Sequence, residues 1–223
     1  MRNTRPECNE GGFRIKMKIE KIILQTSNGI FKIVPDEGPA FYARKEYFLT
    51  VDFDSVRAGS DFGEAQTEEF LDAGLATAVE IKASEYLARA EQCRFNLTQK
   101  LVKKGFARKY IEMSLDFLES KGYLSDERFA RAWLDGRKIN HYEGRGRLLS
   151  ELKQRGIDKE VADEALDAFF EENDEYEIGI KAYEKLLKQG KSEQKLISAM
   201  LNSGFSYKMI KNIFENKKND LNG

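Results

Sequence analysis

Proline disappears from this chain after residue 39: Pro6, Pro35 and Pro39 are the only three among 223 residues. A proline inside a helix costs about 3 kcal/mol, so the stretch from residue 40 onward is free to be uninterrupted helix. Cysteine is scarcer still. Cys8 and Cys93 are too few and too far apart for a disulfide framework or a thiolate zinc site. The single histidine, His141, rules out a multi-histidine metal site and argues against a Ser-His-Asp triad. No apolar run approaches the roughly 20 residues that span a bilayer, and Met1 to Glu7 lack the apolar stretch of a secretory signal. Neither sign of charge dominates: 37 basic and 38 acidic side chains create no global field toward nucleic acid. The protein expected from these absences is cytoplasmic, with no cofactor, no metal and no membrane attachment; a monomer is expected as well. The same absences leave the common catalytic constellations without support, so an enzyme is not expected.

With 41% hydrophobic and 34% charged residues, the chain has the composition of an ordinary globular protein. Its length suits one large domain or two small ones. Residues 1–80 carry 10 basic and 14 acidic side chains and residues 81–223 carry 27 and 24, so the only basic excess lies toward the C-terminus. Residues 1–12 are expected to be disordered, and Met17 offers an alternative start to Met1. Phe13 to Ile19 alternate apolar and polar residues, the period of a half-buried strand. Asn28-Gly29 suits a tight hairpin turn, and Ile30 to Val34 would be the returning strand. Phe41 to Val51 would add a third strand or a short helix. A small β-rich module over 13–55 follows, then a linker over 56–79, where Gly59, Gly63 and Gly74 stand among acids.

From residue 80 the chain repeats itself. Aligning Gly105, Gly156 and Gly204, which are 51 and 48 residues apart, brings other positions into register. Leu97, Leu148 and Leu196 lie eight residues before them, and Leu101, Leu152 and Met200 four before. Phe106, Ile157 and Phe205 lie one after; Leu115, Leu166 and Phe214 lie ten after. Apolar residues four apart share one helix face. A glycine just past a helix end takes the left-handed conformation that closes it, and the next apolar side chain folds back over that end. Asp158 and Ser206 are good N-caps for the following helix. An earlier helix precedes each pair: Ile81–Gln92, then one capped by Ser125 with the Phe129, Ala130, Trp133 and Leu134 stripe, then one carrying Ile178, Ala182 and Leu186. The fold expected is mainly α, with three tandem three-helix repeats over 80–122, 123–172 and 173–216, a short elongated solenoid, and a tail over 217–223.

The middle unit contains Tyr123-Leu124-Ser125-Asp126-Glu127-Arg128-Phe129-Ala130, which resembles the YLxDERFA signature of the RecX family of recombination regulators. Gly144-Arg145-Gly146-Arg147-Leu148-Leu149-Ser150-Glu151-Leu152 is similar to that family's GxxRLxxEL segment. The likeness covers roughly residues 80–216, and the β module is similar to an extension of longer members. The pattern is broken at Ser203, where a basic residue is usual. The resemblance implies a non-enzymatic protein that binds the RecA recombinase filament on single-stranded DNA. Such a protein dampens strand exchange, ATP hydrolysis and coprotease activity, and touches DNA as well, single- or double-stranded.

Two basic clusters are candidate contacts to RecA or DNA. Lys103, Lys104, Arg108 and Lys109, with Lys100, form a run that reads either as a phosphate or acidic-protein contact or as a solvated helix face. Arg137, Lys138, Arg145, Arg147, Lys153 and Arg155 flank the Gly144 and Gly146 loop, which is expected to protrude and offer arginine forks to carboxylate or phosphate. Trp133, Tyr123 and Phe129 read as core residues, and Asp126 and Glu127 as helix-dipole partners. A general DNA-binding helical-repeat protein is the alternative, against which the near-zero net charge counts. A tetratricopeptide scaffold does not fit the 48–51 residue period.

Overall fold

The computed structural model describes residues 16–24, 29–138 and 141–222. The expectations for residues 1–12, for Phe13 to Ile15 of the first strand and for Asn28 lie outside these residues. Among them the chain is mainly helical, with nine α-helices and a small antiparallel sheet. The described residues up to Lys82, with Phe106–Ser114, form one compact unit, and Ala83–Gly105 with the described residues from Leu115 onward form the other.

The first unit is built on strands β1 (Met17–Leu24), β2 (Ile30–Pro35), β3 (Phe41–Arg44) and β4 (Asp61–Phe62), in the order β3-β2-β1-β4. All its pairs are antiparallel, with Ile22 opposite Ile33 and Leu24 opposite Phe31. Gly29 holds φ +78° at the hairpin end. A 3-10 turn at Lys45–Tyr47 follows β3 directly, so the stretch from Phe41 is both strand and short helix. Helix α1 (Glu64–Leu87) buries Phe70, Ala73, Ala76 and Val79 completely, and Phe70 joins Phe48, Phe53 and Phe62 in an aromatic cluster.

The linker expected over 56–79 is therefore wrong: it holds β4 and most of α1. Of its acids, Asp61 lies in β4, and Glu64 and Glu68 are exposed on α1. Glu69 and Asp72 are partly buried there, accepting hydrogen bonds from Thr50 and Tyr110. Gly74 marks a close approach, since a β-carbon there would stand 2.7 Å from the Phe41 ring. A buried ion pair ties β3 to α1. Arg44 donates to Glu80 at 2.6 and 2.5 Å, and Tyr47 donates to the same carboxylate at 3.0 Å.

The second unit contains α2 (Arg94–Lys103), the end of α3 (Arg108–Ser120), and α4 (Asp126–Lys138), α5 (Arg145–Gln154) and α6 (Lys159–Glu172), followed by α7 (Glu175–Leu187), α8 (Glu193–Asn202) and α9 (Tyr207–Asn222). Helices α4–α6 enclose one core, around Leu134, Leu148, Leu152 and Leu166. Helices α7–α9 enclose another, around Ala182, Leu196, Met200 and Ile213. The three aligned glycines have φ of +88°, +75° and +90°. Ile157 N–H donates to Leu152 O and Phe205 N–H to Met200 O, the helix-closing bonds of a Schellman turn. Ser125, Asp158 and Ser206 accept the capping hydrogen bonds from Arg128, Glu160 and Met209.

Two boundaries differ from expectation. The first repeat's leading helix begins at Glu64 instead of residue 81 and starts in the first unit, as does α3 through Ser114. Tyr110 donates to Asp72 at 2.8 Å and Ser114 to Ala76 O at 2.6 Å, binding α3 to α1. The tail expected over 217–223 is helical to Asn222, because neither glycine nor proline intervenes before residue 223 to stop α9.

Candidate interaction surface

The contact between successive three-helix units occurs twice in the same form. The first residue of α4, Asp126, accepts the N–H of Arg94, the first residue of α2, at 2.7 Å. The first residue of α7, Glu175, accepts the N–H of Arg145, the first residue of α5, at 2.8 Å. In each case a carboxylate from one unit satisfies an orphan donor at the second helix of the unit before it. Desolvation at this position raises the Asp126 pKa above the ordinary carboxylate value, against the pull of the Arg94 N–H and charge.

The glycine turns complete the contact. The Cys93 thiol donates to Arg155 O at 3.3 Å, and a β-carbon on Gly156 would stand 2.6 Å from Phe95 Cβ. One unit later, Gly144 N–H donates to Ser203 O at 2.8 Å and Gly146 N–H to Gly204 O at 3.1 Å. Gly144 and Gly146 are thus not a flexible loop. They open α5 and let two backbones touch, because a β-carbon on Gly144 would stand 2.7 Å from Gly204 O.

That geometry corrects the expectation of a protruding arginine loop. Arg145 sits in the first turn of α5, and its guanidinium meets Asp163 at 3.2 Å and Asp167 at 2.6 Å. Burial works to lower its pKa, but hydrogen bonds and charge from Asp167 and Asp163 outweigh this and raise it. Arg147 binds Glu143 at 2.7 Å and Glu151 at 3.5 Å. Arg155 binds Glu151 and Arg137 binds Glu143, both at 2.7 Å. Arg137 and Arg155 also stack on Trp133, with guanidinium carbons 5.2 and 4.7 Å from the ring centre. Five alternating charges therefore form a circuit closed by one tryptophan. The hydrogen bond from Arg155 holds the Glu151 carboxyl below the usual range.

The remaining candidates divide the same way. Lys109 is bound to Asp72 in the first unit. Lys103, Lys104, Arg108, Lys138 and Lys153 are exposed and carry no ion pair among the described residues. Lys103 and Lys104 end α2 in the second unit, and Arg108 opens α3 in the first. Trp133 and Phe129 are half-buried against the α4–α6 core. Tyr123, expected in the core, is 64% exposed, because it follows the left-handed Gly122 and only its backbone turns back, donating to Leu118 O.

The carboxylates Glu143, Asp163, Asp167 and Glu175 were missed as partners, although Glu143, Arg147, Glu151 and Arg155 alternate in sign every four residues, which is a legible helical signal. Among the described residues no cluster of His, Cys, Asp and Glu side chains could hold a metal ion, and no helix is long and apolar enough to cross a membrane.

Fold and contacts together define a mainly helical protein with a small antiparallel sheet, whose α5 meets the turn ending α8 backbone to backbone. Residues 125–166 match the profile of RecX, second three-helix domain. The chain is 36% identical over 132 residues to the regulatory protein RecX of Treponema pallidum (strain Nichols), covering 59% of this chain and 80% of that one. It is 29% identical over 203 residues to the regulatory protein RecX of Bacillus licheniformis, covering 86% and 74%. A crystal structure of regulatory protein RecX shares the fold with a TM-score of 0.69 at 24% identity, covering 88% of this chain and 99% of the other. The chain belongs to the RecX family.

Proposed function

We propose that this protein is a non-enzymatic regulator that binds the RecA recombinase filament on single-stranded DNA and modulates, mostly by inhibition, its recombinase, ATPase and coprotease activities. It would act in the cytoplasm as a monomer, in DNA repair, homologous recombination and the SOS response, and would touch the DNA of the filament as well. The observation that carries this reading is the middle unit, whose match to the RecX profile begins at the serine that caps α4 and includes the Asp126 cap. The repeats would stack as a short solenoid, presenting an extended binding face. Of the candidate cations, Lys103, Lys104, Arg108, Lys138 and Lys153 are free to meet a partner. Arg145 and Arg147 would have to leave internal pairs first.

RecA ATPase on single-stranded DNA tests the reading directly. The protein should lower the rate in proportion to its concentration, and Lys103→Glu with Lys104→Glu should weaken that effect severalfold. An unchanged rate at saturating protein rejects RecA regulation. The rival reading, general DNA binding, is favoured only by the unpaired lysines, and predicts affinity for DNA alone that falls steeply with salt.

A further inference from the structure

Between α4, the start of α5 and α7 lie two adjoining cavities of about 150 and 230 Å³, which share His141, Tyr142 and Glu143. Lys138 and Lys181 line the first, and Arg147 and Lys185 the second. Three acids line the first cavity: Glu143 and Asp174 are engaged, while Glu177, exposed one turn before Lys181, carries no ion pair among the described residues. Glu143 is closed by Arg137 and Arg147, each at 2.7 Å, and Asp174 caps α7 by accepting the Tyr176 N–H at 2.8 Å. Lys138 and Lys181 have no ion pair among the described residues and are exposed. Lys185 stands 5.5 Å from the centre of the Tyr142 ring, which is 37% exposed. An aromatic ring among three ammonium groups that outnumber the one unengaged carboxylate, Glu177, in a concave seam is the arrangement that takes a single nucleic-acid strand, phosphates on the lysines and a base on the ring.

We propose that this seam binds single-stranded nucleic acid through Lys138, Lys181 and Lys185, with Tyr142 as the stacking surface. The proposal sharpens the nucleic-acid part of the function proposed above and rests on it. An acidic polypeptide would use the lysines equally but would gain nothing from the ring, so the tyrosine separates the two. The seam borders the Gly144–Arg147 segment that the sequence favoured, but draws on its own lysines and not on Arg145 and Arg147, which are held in internal pairs.

The test is fluorescence anisotropy of the full-length protein with a labelled oligothymidylate of about 12 nucleotides, without RecA. Lys181→Glu with Lys185→Glu should weaken binding at least tenfold. It should also flatten the log–log salt slope by about 1.4, about 0.7 for each phosphate of a single strand that is no longer neutralised. The neutral pair Lys181→Gln with Lys185→Gln should weaken binding less but in the same direction, and guards against misfolding of the reversal. Tyr142→Ala should weaken binding severalfold with the salt slope unchanged. Lys195→Glu with Lys208→Glu, equal in charge change but outside the seam, should leave binding within about twofold of the parent. If the parent binds and both seam pairs bind as it does, the seam assignment is overturned while RecA regulation stands. If poly-glutamate displaces the oligonucleotide as well as unlabelled oligothymidylate does, and Tyr142→Ala changes nothing, the seam takes acidic polypeptide. If the parent binds no oligonucleotide, the nucleic-acid part of the function fails along with it.

Discussion

Gly105 and Gly156 occupy equivalent places in two successive units but meet different surroundings. Both have positive φ, yet a β-carbon on Gly105 meets nothing within 4 Å, while one on Gly156 runs into Phe95. The left-handed conformation alone costs an L-residue about 1–2 kcal/mol, and forcing extra volume into a packed contact adds about 1–3 kcal/mol. Gly105→Ala should therefore show only the first cost and Gly156→Ala both, read as urea midpoints at constant m-value. Equal midpoint shifts would mean that Phe95 moves aside without cost. Arg145 and Arg147 carry a prediction of the same kind. Their pairs with Asp163, Asp167, Glu143 and Glu151 make Arg145→Glu with Arg147→Glu a change in stability first. Discounted for the solvent that reaches both side chains, the loss is about 1–2 kcal/mol, visible as a lower melting temperature. A variant that melts like the parent would show these pairs to be worth nothing in solution.

Among the helices, the repeat was legible because its markers are local. A glycine at C′, an apolar residue just after it, and a serine or aspartate opening the next helix all act within a few residues of chain, and Gly156 and Gly204 close their helices as that pattern requires. Helix α1 was not legible. Glycine and glutamate density over 56–79 reads as linker, while the burying stripe of Phe70, Ala73, Ala76 and Val79 gains meaning only beside the sheet it covers. Asp126 was half legible: its place in the first turn of α4 signals a favourable dipole contact, but its main partner is the Arg94 N–H of another helix.

Both units carry carboxylates whose protonation should weaken the fold. In the first, bonds to Thr50 outweigh burial and lower the pKa of Glu69, while Lys109 and Tyr110 do the same for Asp72. In the second, Arg155 lowers that of Glu151. A depressed native pKa means that the unfolded chain binds protons first, so the stabilisation is fully present above the ordinary carboxylate range, about 4. It is lost as pH falls through the native values. Urea midpoints should hold between pH 7 and pH 5 as far as these groups are concerned, then drop below about pH 4. Glu151→Gln should flatten that acid limb, and an identical limb in the variant would mean that its pair with Arg155 does not form.

By itself the sequence determined the helical class, the 51- and 48-residue spacing, the capped helix starts and the RecX likeness, because each rests on local backbone chemistry or on residues adjacent in the chain. Only the tertiary structure decided that Arg145 is not free and that the glycines beside it are packed. Arg145 is neutralised by Asp163 and Asp167 from α6, and Gly144 and Gly146 are held against the turn that ends α8. Charge attraction and backbone approach act across space, and residues from 18 to about 60 positions apart become neighbours only when the helices between them have packed.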